Sequence, residues 1–291
     1  MIPYELIIPS ASRPHLLERT LATFFVHSGQ WPGRVIVHND GVFPGKRERV
    51  ERLLVTQIPA QIPVVFQHDE HPMRHGPALK WLLDQVRTEY VVYTQDDFAT
   101  VRRLPISRAL GVLHLNDLNQ IRFNKRKTMA VKGEGDHTFT KVEKVFSLPD
   151  DYGVGVDFPS TPCPSGVHLK YCDYGSGIHQ TLCVADHWYF QTGVWRVAAI
   201  KPVVDWWMTS GPGEFGEHSE SKINDAFNGK YRGVKDFPAS VPVCSPEEWN
   251  DPRVRATVHK TFIWGPVREP RFVEHLGHDS KDWALERANR G

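Results

Sequence analysis

Over its first 95 residues the chain alternates short apolar runs with amphipathic stretches, and this alternation limits the fold more than any other feature. Residues 4–9 (YELIIP) form an apolar run closed by Pro-Ser-Ala-Ser-Arg-Pro. Residues 15–27 then carry Leu16, Leu17, Leu21, Phe24 and Phe25 at helical spacing. Residues 34–38 (RVIVH) end in the turn signal Asn39-Asp40-Gly41, and the charged stretch 46–54 reads as helix. A third strand over 63–67 (PVVFQ), a compact helix over 76–86 and a fourth strand over 89–94 (EYVVYT) complete the series. Strands joined through helices pair in parallel by right-handed crossovers. The expected class is therefore α/β, with a mixed, mainly parallel sheet flanked by helices.

Beyond residue 100 the alternation is lost. Residues 119–125, 141–146 and 271–276 read as strands and 217–227 as helix, while 150–174 is rich in Pro, Gly, Asp and Cys and reads as loop. No repeat, low-complexity tract or Gly/Ser linker divides the chain. Residues 1–291 are read as one domain, with a nucleotide-type half over 1–100 and a more irregular half over 101–291. Lys and Arg number 35 against 34 Asp and Glu, a formal net charge of +1. That lacks the bulk positive field of a protein that lives on nucleic acid. No run approaches the roughly 18 consecutive apolar residues of a membrane span, and the start has no signal-peptide pattern, so a cytoplasmic location is expected. Cys163, Cys172, Cys183 and Cys244 form no C-x-x-C pair and read as reduced thiols.

In open parallel α/β sheets, ligands bind beyond the carboxyl ends of the strands. The loops there hold Ser10, Ser12 and Arg13, then Asn39 and Asp40, then residues 68–71, then Asp96 and Asp97. Adjacent carboxylates after a run as apolar as Tyr90-Val91-Val92-Tyr93 repel each other unless a cation or donor sits beside them. Mg2+ or Mn2+ would supply that, and capping of a turn is the plain alternative. His68, His71 and His75 have the spacing of zinc ligands, but Pro72 interrupts the helix that would aim them together. The absence of G-x-x-x-x-G-K-[ST], and of G-x-G-x-x-G after the first strand, argues against a P-loop ATPase, a kinase or a nicotinamide enzyme.

The order of the Pro-Ser-x-x-Arg-Pro loop, Asp40 after the second strand, Gly76-Pro77-Ala78-Leu79-Lys80 and Tyr93-Thr94-Gln95-Asp96-Asp97-Phe98 resembles the GT-A class of nucleotide-sugar glycosyltransferases, near family 2. The resemblance covers residues 4 to 100. It implies a Rossmann-like GT-A sheet with an irregular acceptor half, and a D-x-D signature in the variant form of a polar residue before Asp-Asp. By that resemblance Asp97 is the main metal ligand, Asp96 meets the ribose or a metal-bound water, and Asp40 meets the base. Ser10 and Lys80 join the donor-binding set, and Arg13 either joins it by meeting phosphate or simply pairs with an acid. Residues 213–220 resemble the segment that carries an acidic base in inverting members, and residues 273–277 resemble a C-terminal His-x-Gly in which His275 completes the metal site. Glu217 is the first candidate base, with Glu214, Glu220 and Asp186 behind it. Each of these also reads as an exposed acid near a helix start. Gln95 departs from the pattern, where an acidic residue is more usual. The implied activity moves a sugar from a nucleotide sugar, a UDP-sugar first, to an acceptor hydroxyl with Mn2+ or Mg2+. The cation neutralises charge developing on the leaving diphosphate.

The acceptor is left open among a small glycan, a lipid-linked sugar, a protein and a hydroxymethylated DNA base. Trp188, Tyr189, Phe190, Trp195, Trp206 and Trp207 form either an acceptor platform or core packing. Arg122, Lys125, Arg126 and Lys127 form either a phosphate-following patch or a solvated surface. Two rivals come from other classes: a non-catalytic carbohydrate- or nucleic-acid-binding protein, and a nucleotidyltransferase. The latter would bring a Gly-rich phosphate loop after the first strand, and residues 9–14 are not Gly-rich.

Overall fold

A computed structural model describes residues 1–41, 46–70, 75–125, 143–148, 178–184, 188–209, 219–227, 230–231, 233–245, 258–265 and 269–276. The N-terminal elements are β1 (Glu5–Ser10), α1 (Pro14–His27), β2 (Val35–Asn39), α2 (Arg47–Gln57), β3 (Val64–His68), α3 (His75–Gln85) and β4 (Tyr90–Tyr93). Their order is the expected one, with slightly shifted ends. β1, β2 and β4 are buried at every position, as apolar strands covered on both faces must be. Side chains alternate along them. Leu6 and Ile8 enter the core under α1, α2 and a later helix, while Ile7 enters the core under α3. α1 opens on Pro14, whose fixed φ suits a first helical turn, and buries Leu16, Leu17, Leu21 and Phe24.

The later half adds β5 (Phe98–Thr100), α4 (Ile106–Leu115), β6 (Gln120–Arg122), β7 (Glu143–Leu148), β8 (Ile178–Val184), β9 (Gly193–Arg196), α5 (Val197–Thr209), α6 (Ser219–Phe227), β10 (Thr261–Trp264) and β11 (Val273–His275). Six of these, β5, α4, β8, β9, α5 and β10, go beyond the sequence reading. The sheet order is β3-β2-β1-β4-β9-β6-β10-β8-β7. β1 to β4 pair in parallel, and β6 pairs in parallel with β10. β9 lies antiparallel between β4 and β6, and β8 antiparallel between β10 and β7. Within this nine-stranded sheet all strands but β8 and β9 therefore point one way, giving a mixed, mainly parallel sheet flanked by helices. The later half thus extends the first sheet, and the expected loss of regularity holds for the spacing of elements rather than for the architecture. β11 pairs antiparallel with β5 in a small second sheet that sets His275 across from Phe98.

Burial decides several polar and aromatic readings that the sequence left open. Trp188, Trp195, Trp206 and Trp207 are at most 5% exposed and fill the layer between the sheet, α5 and α6, so they are core and no acceptor platform. Trp195 stacks on Tyr93 with centroids 4.1 Å apart, and Trp188 on Phe227 at 5.4 Å. Arg122 is buried, its guanidinium carbon 4.0 Å above the Tyr189 ring, and its Nη1 donates to Gln191 Oε1 at 3.1 Å. It therefore leaves the expected surface cluster; Lys125 is half-buried, and Arg126 and Lys127 lie outside the described residues. The zinc spacing is not realised either. His75 Nε2 lies 3.0 Å from the Tyr93 hydroxyl with its ring edge-on to Phe190, His68 Nδ1 lies 2.7 Å from Asn39 Nδ2, and His71 lies outside the described residues. Among the described residues, no helix is long and apolar enough to cross a membrane.

Candidate functional site

From β1 the chain runs outward to β2 and β3, then returns to β4 on the other side of β1. The strand order reverses there, the position at which open α/β sheets bind ligands, and the loops after β1 and β4 are hydrogen-bonded to each other. Ser10 closes β1, Ser12 and Arg13 come from the loop after it, and Asp96 and Asp97 from the loop after β4. Ser12 adopts φ 58°, left-handed backbone that costs a non-glycine residue of order 1 kcal/mol. Two bonds hold it there: Ser12 N donates to Asn39 Oδ1 at 3.1 Å, and Ser12 Oγ donates to the Asp40 carbonyl. Past that bend, Arg13 reaches both carboxylates.

Asp96 is buried and well supplied with donors. Its Oδ2 accepts from Ser10 Oγ at 3.1 Å, Ala11 N at 2.9 Å and Arg13 Nε at 3.3 Å, while Oδ1 accepts from Arg13 Nη2. Thr20 Oγ1 on α1 donates to the Asp96 carbonyl at 2.8 Å, fixing the loop against the helix. Asp97 is placed differently. Its Oδ2 lies 3.0 Å from Arg13 Nη2 and 3.2 Å from His275 Nε2, but its Oδ1 is buried with no hydrogen-bond partner among the described residues. The β11–β5 pairing delivers His275, the imidazole packs on Phe98 with centroids 4.8 Å apart, and Leu276 N donates to the Asp97 carbonyl at 2.7 Å.

The two carboxyls titrate in opposite directions. Burial pushes Asp96 above the ordinary carboxylate range against the pull of Arg13, and the Asp97 charge adds to the rise. Burial acts the same way on Asp97, but the hydrogen bond with His275 and the Arg13 guanidinium outweigh it and hold Asp97 below that range. Arg13, although desolvated, is driven further toward its charged form by both carboxylates. The pair is thus a buried, doubly acidic cluster facing one guanidinium.

Of the residues singled out from sequence, Ser10, Arg13, Asp96, Asp97 and His275 meet at this switch point. Asp40 lies on the same rim, its N–H donating to the Ser10 carbonyl at 2.7 Å. Lys80 does not join them. Its ammonium pairs with Asp84 at 2.8 Å and Asp205 at 3.1 Å, and Lys201 pairs with the same two carboxylates, tying α3 to α5. Glu214, Glu217 and Asp186 lie outside the described residues, and Glu220 falls within α6.

Sequence reading placed residues 68–71 on the rim and Gly41 in a turn, but it missed the contacts that support the rim and the part of Thr20. Thr20 anchors the Asp96 backbone from within α1. Asp69 Oδ2 lies 2.6 Å from His38 Nε2, and Gln67 Nε2 donates to Asp69 Oδ1 at 2.9 Å, a link across β2 and β3. Gly41 brings those two loop ends together: a Cβ there would lie 2.0 Å from the Asp69 carbonyl oxygen. The Asn39-Asp40-Gly41 turn signal was the available clue to that approach. Among the described residues, no three His, Cys, Asp or Glu side chains converge to hold a metal.

No family model matches the sequence, and no curated protein matches it significantly. Solved structures do. The mannosyltransferase PcManGT from Pyrobaculum calidifontis, in complex with GDP-Man and Mn2+, is 20% identical over 43% of this chain and 36% of its own, with a TM-score of 0.38. TarS 1–349 from S. aureus is 10% identical over 95% of this chain and 61% of its own, with a TM-score of 0.47. The 4-diphosphocytidyl-2C-methyl-D-erythritol synthase from Anaerococcus prevotii is 13% identical over 76% of this chain and 82% of its own, with a TM-score of 0.38. The chain spans between 36% and 61% of the length of the first two.

Proposed function

We propose that this chain is a GT-A type glycosyltransferase that uses a nucleotide sugar and a divalent metal to glycosylate an acceptor hydroxyl. One observation carries the reading: a buried Asp96–Asp97 pair at the β1/β4 switch point, tied to the β1 loop through Ser10 and Arg13 and to the C-terminal strand through His275. The order of motifs along residues 4 to 100 supports it from the sequence side.

The donor set suits a divalent ion. Asp97 Oδ1 is a buried acceptor with no partner among the described residues, and an imidazole lies 3.2 Å from the other oxygen of the same carboxylate. One carboxylate and one imidazole match Mn2+, or Mg2+ with more of its shell supplied by phosphate and water. Asp97 and His275 would hold it, and its chemistry there would be to neutralise charge on the departing diphosphate. The chain's own groups do the positioning. Ser10 Oγ and the Ala11 N–H fix the Asp96 carboxylate, Arg13 supplies a fork for phosphate oxygens, and Asp40 stands at the rim for the base. The acceptor's proton goes to an acidic base, with Glu217 first, then Glu214 and Asp186. Burial of Arg122 removes one of the four cations that favoured DNA, which puts a glycan hydroxyl first as acceptor.

The test is nucleoside diphosphate release from a panel of nucleotide sugars with Mn2+ or Mg2+, with and without chelator. Release from one donor, abolished by chelator and by Asp97→Ala, is the expected result. No release, together with no metal-dependent nucleotide binding, overturns the reading in favour of a binding module.

A further inference from the structure

We propose that Arg13 is a built-in counter-cation that keeps the carboxylate pair from taking a divalent metal alone and yields it when a nucleoside diphosphate arrives. Metal and donor then enter as a unit. The inference rests on the donor-site reading above and adds an order of binding to it.

The geometry makes Arg13 a competitor for the metal rather than a bystander. Its Nη2 contacts Asp96 Oδ1 and lies 3.0 Å from Asp97 Oδ2, the oxygen that also faces His275 Nε2 at 3.2 Å. A cation held between Asp97 Oδ2 and His275 Nε2 therefore shares that oxygen with the guanidinium. The Arg13 side chain is only 14% exposed and the carboxylates 1% and 7%, so water screens the repulsion between the two cations poorly. The charge balance agrees: two carboxylates against one guanidinium leave one formal negative charge. A divalent ion added alone overturns that balance in a buried place, which is costly. A diphosphate restores it, and it offers the guanidinium fork oxygens equivalent to those it leaves.

Two further features make the exchange local. The Arg13 carbonyl accepts from Leu16 N and Leu17 N at 3.0 Å each, so the backbone is pinned at the start of α1 and only the side chain has to swing. The carboxylates also differ in what they keep. Asp96 retains Ser10 Oγ and Ala11 N after the guanidinium leaves, whereas Asp97 retains His275 alone and has its other oxygen unbonded among the described residues. Release of Arg13 thus exposes the ligand that most needs a cation.

The experiment measures Mn2+ binding to the full chain by the loss of free-Mn2+ resonance signal, alone and with UDP or GDP, without turnover. In the wild type either nucleotide should tighten Mn2+ at least about tenfold, the scale that one nearby charge produces after screening is discounted. Arg13→Gln should bind Mn2+ alone about tenfold tighter than wild type and gain less from nucleotide. Arg13→Lys, which keeps the charge, should stay close to wild type without nucleotide. Equal Mn2+ affinity of the wild type with and without nucleotide overturns the inference and needs no variant, so a poorly folded Arg13→Gln leaves it testable. Arg13→Gln binding Mn2+ no tighter than wild type also overturns it. In that case a loss of nucleotide-dependent Mn2+ binding in Asp97→Asn keeps the donor site. No nucleotide effect in any protein, with Asp97→Asn unchanged, removes the donor site and the inference together.

Discussion

The two ends of β1 carry ion pairs of opposite design. At its start, Glu5 Oε1 accepts from Arg34 Nε at 2.7 Å and Oε2 from Arg87 N at 2.7 Å, while Arg34 Nη2 donates to the Gln85 carbonyl. One acid meets one base, and each carboxylate oxygen has a donor. At its end, Ser10 and Arg13 meet two acids, and one oxygen of Asp97 has no partner among the described residues. Both ends are buried, so burial does not separate them; charge balance does. A balanced, fully bonded pair has nothing left to offer a ligand, whereas an acid-rich cluster beside an open loop has a charge and an acceptor to spare.

The comparison predicts opposite phenotypes. Asp97→Asn should lower turnover of the nucleotide sugar by at least about 10²-fold, the scale of losing a group aimed at developing charge, with little loss of stability. Kinetics beside a thermal melt would read both, and a variant that unfolds while its folded fraction keeps full activity breaks the contrast. Glu5→Ala should do the reverse. It strands Arg34 in a buried site at a cost of about 3 kcal/mol, seen as a lower denaturant midpoint with activity per folded molecule unchanged.

His75 sharpens the contrast, because it sits next to the rim yet has no charge to offer. Burial lowers its pKa to about 4, below the ordinary value of 6.5. Folded and unfolded chains are both neutral there above pH 6.5. As pH falls below 6.5 the unfolded chain takes the proton first, so the folded state loses stability until about pH 4, where the loss levels off. The total is on the order of 3 kcal/mol. In His75→Gln the stability profile from urea titrations should be flatter across that window; an unchanged slope would mean that the imidazole is already charged when folded.

The smallest effect is expected at Lys80, whose half-exposed network with Asp84, Lys201 and Asp205 is balanced, two acids against two bases. Lys80→Ala should cost about 0.5 kcal/mol and leave KM for the donor unchanged. A tenfold rise in KM at unaltered stability, about 1.4 kcal/mol of lost binding, would return Lys80 to the donor-binding set.

What the chain determined by itself is what neighbours in sequence can express. The apolar runs that became β1, β2 and β4 were legible because a strand covered on both faces needs an unbroken apolar stretch. α1 was legible because Leu17, Leu21 and Phe24 repeat at the helical period. Asp96-Asp97 was legible because two acids directly after such a run are a local anomaly. Strands of three or four residues such as β5, β9 and β10 are too short to show a period, and α5 hides behind Pro202 and an apolar composition that is nearly continuous. Only the tertiary structure decided that β9 runs antiparallel between β4 and β6, that four tryptophans turn inward, and that Lys80 joins α5. It also decided that Arg13 and His275, at opposite ends of the chain, meet on one oxygen of Asp97. Strand pairing and charge pairing act between residues far apart in sequence, and their energies depend on burial that no local window of sequence carries.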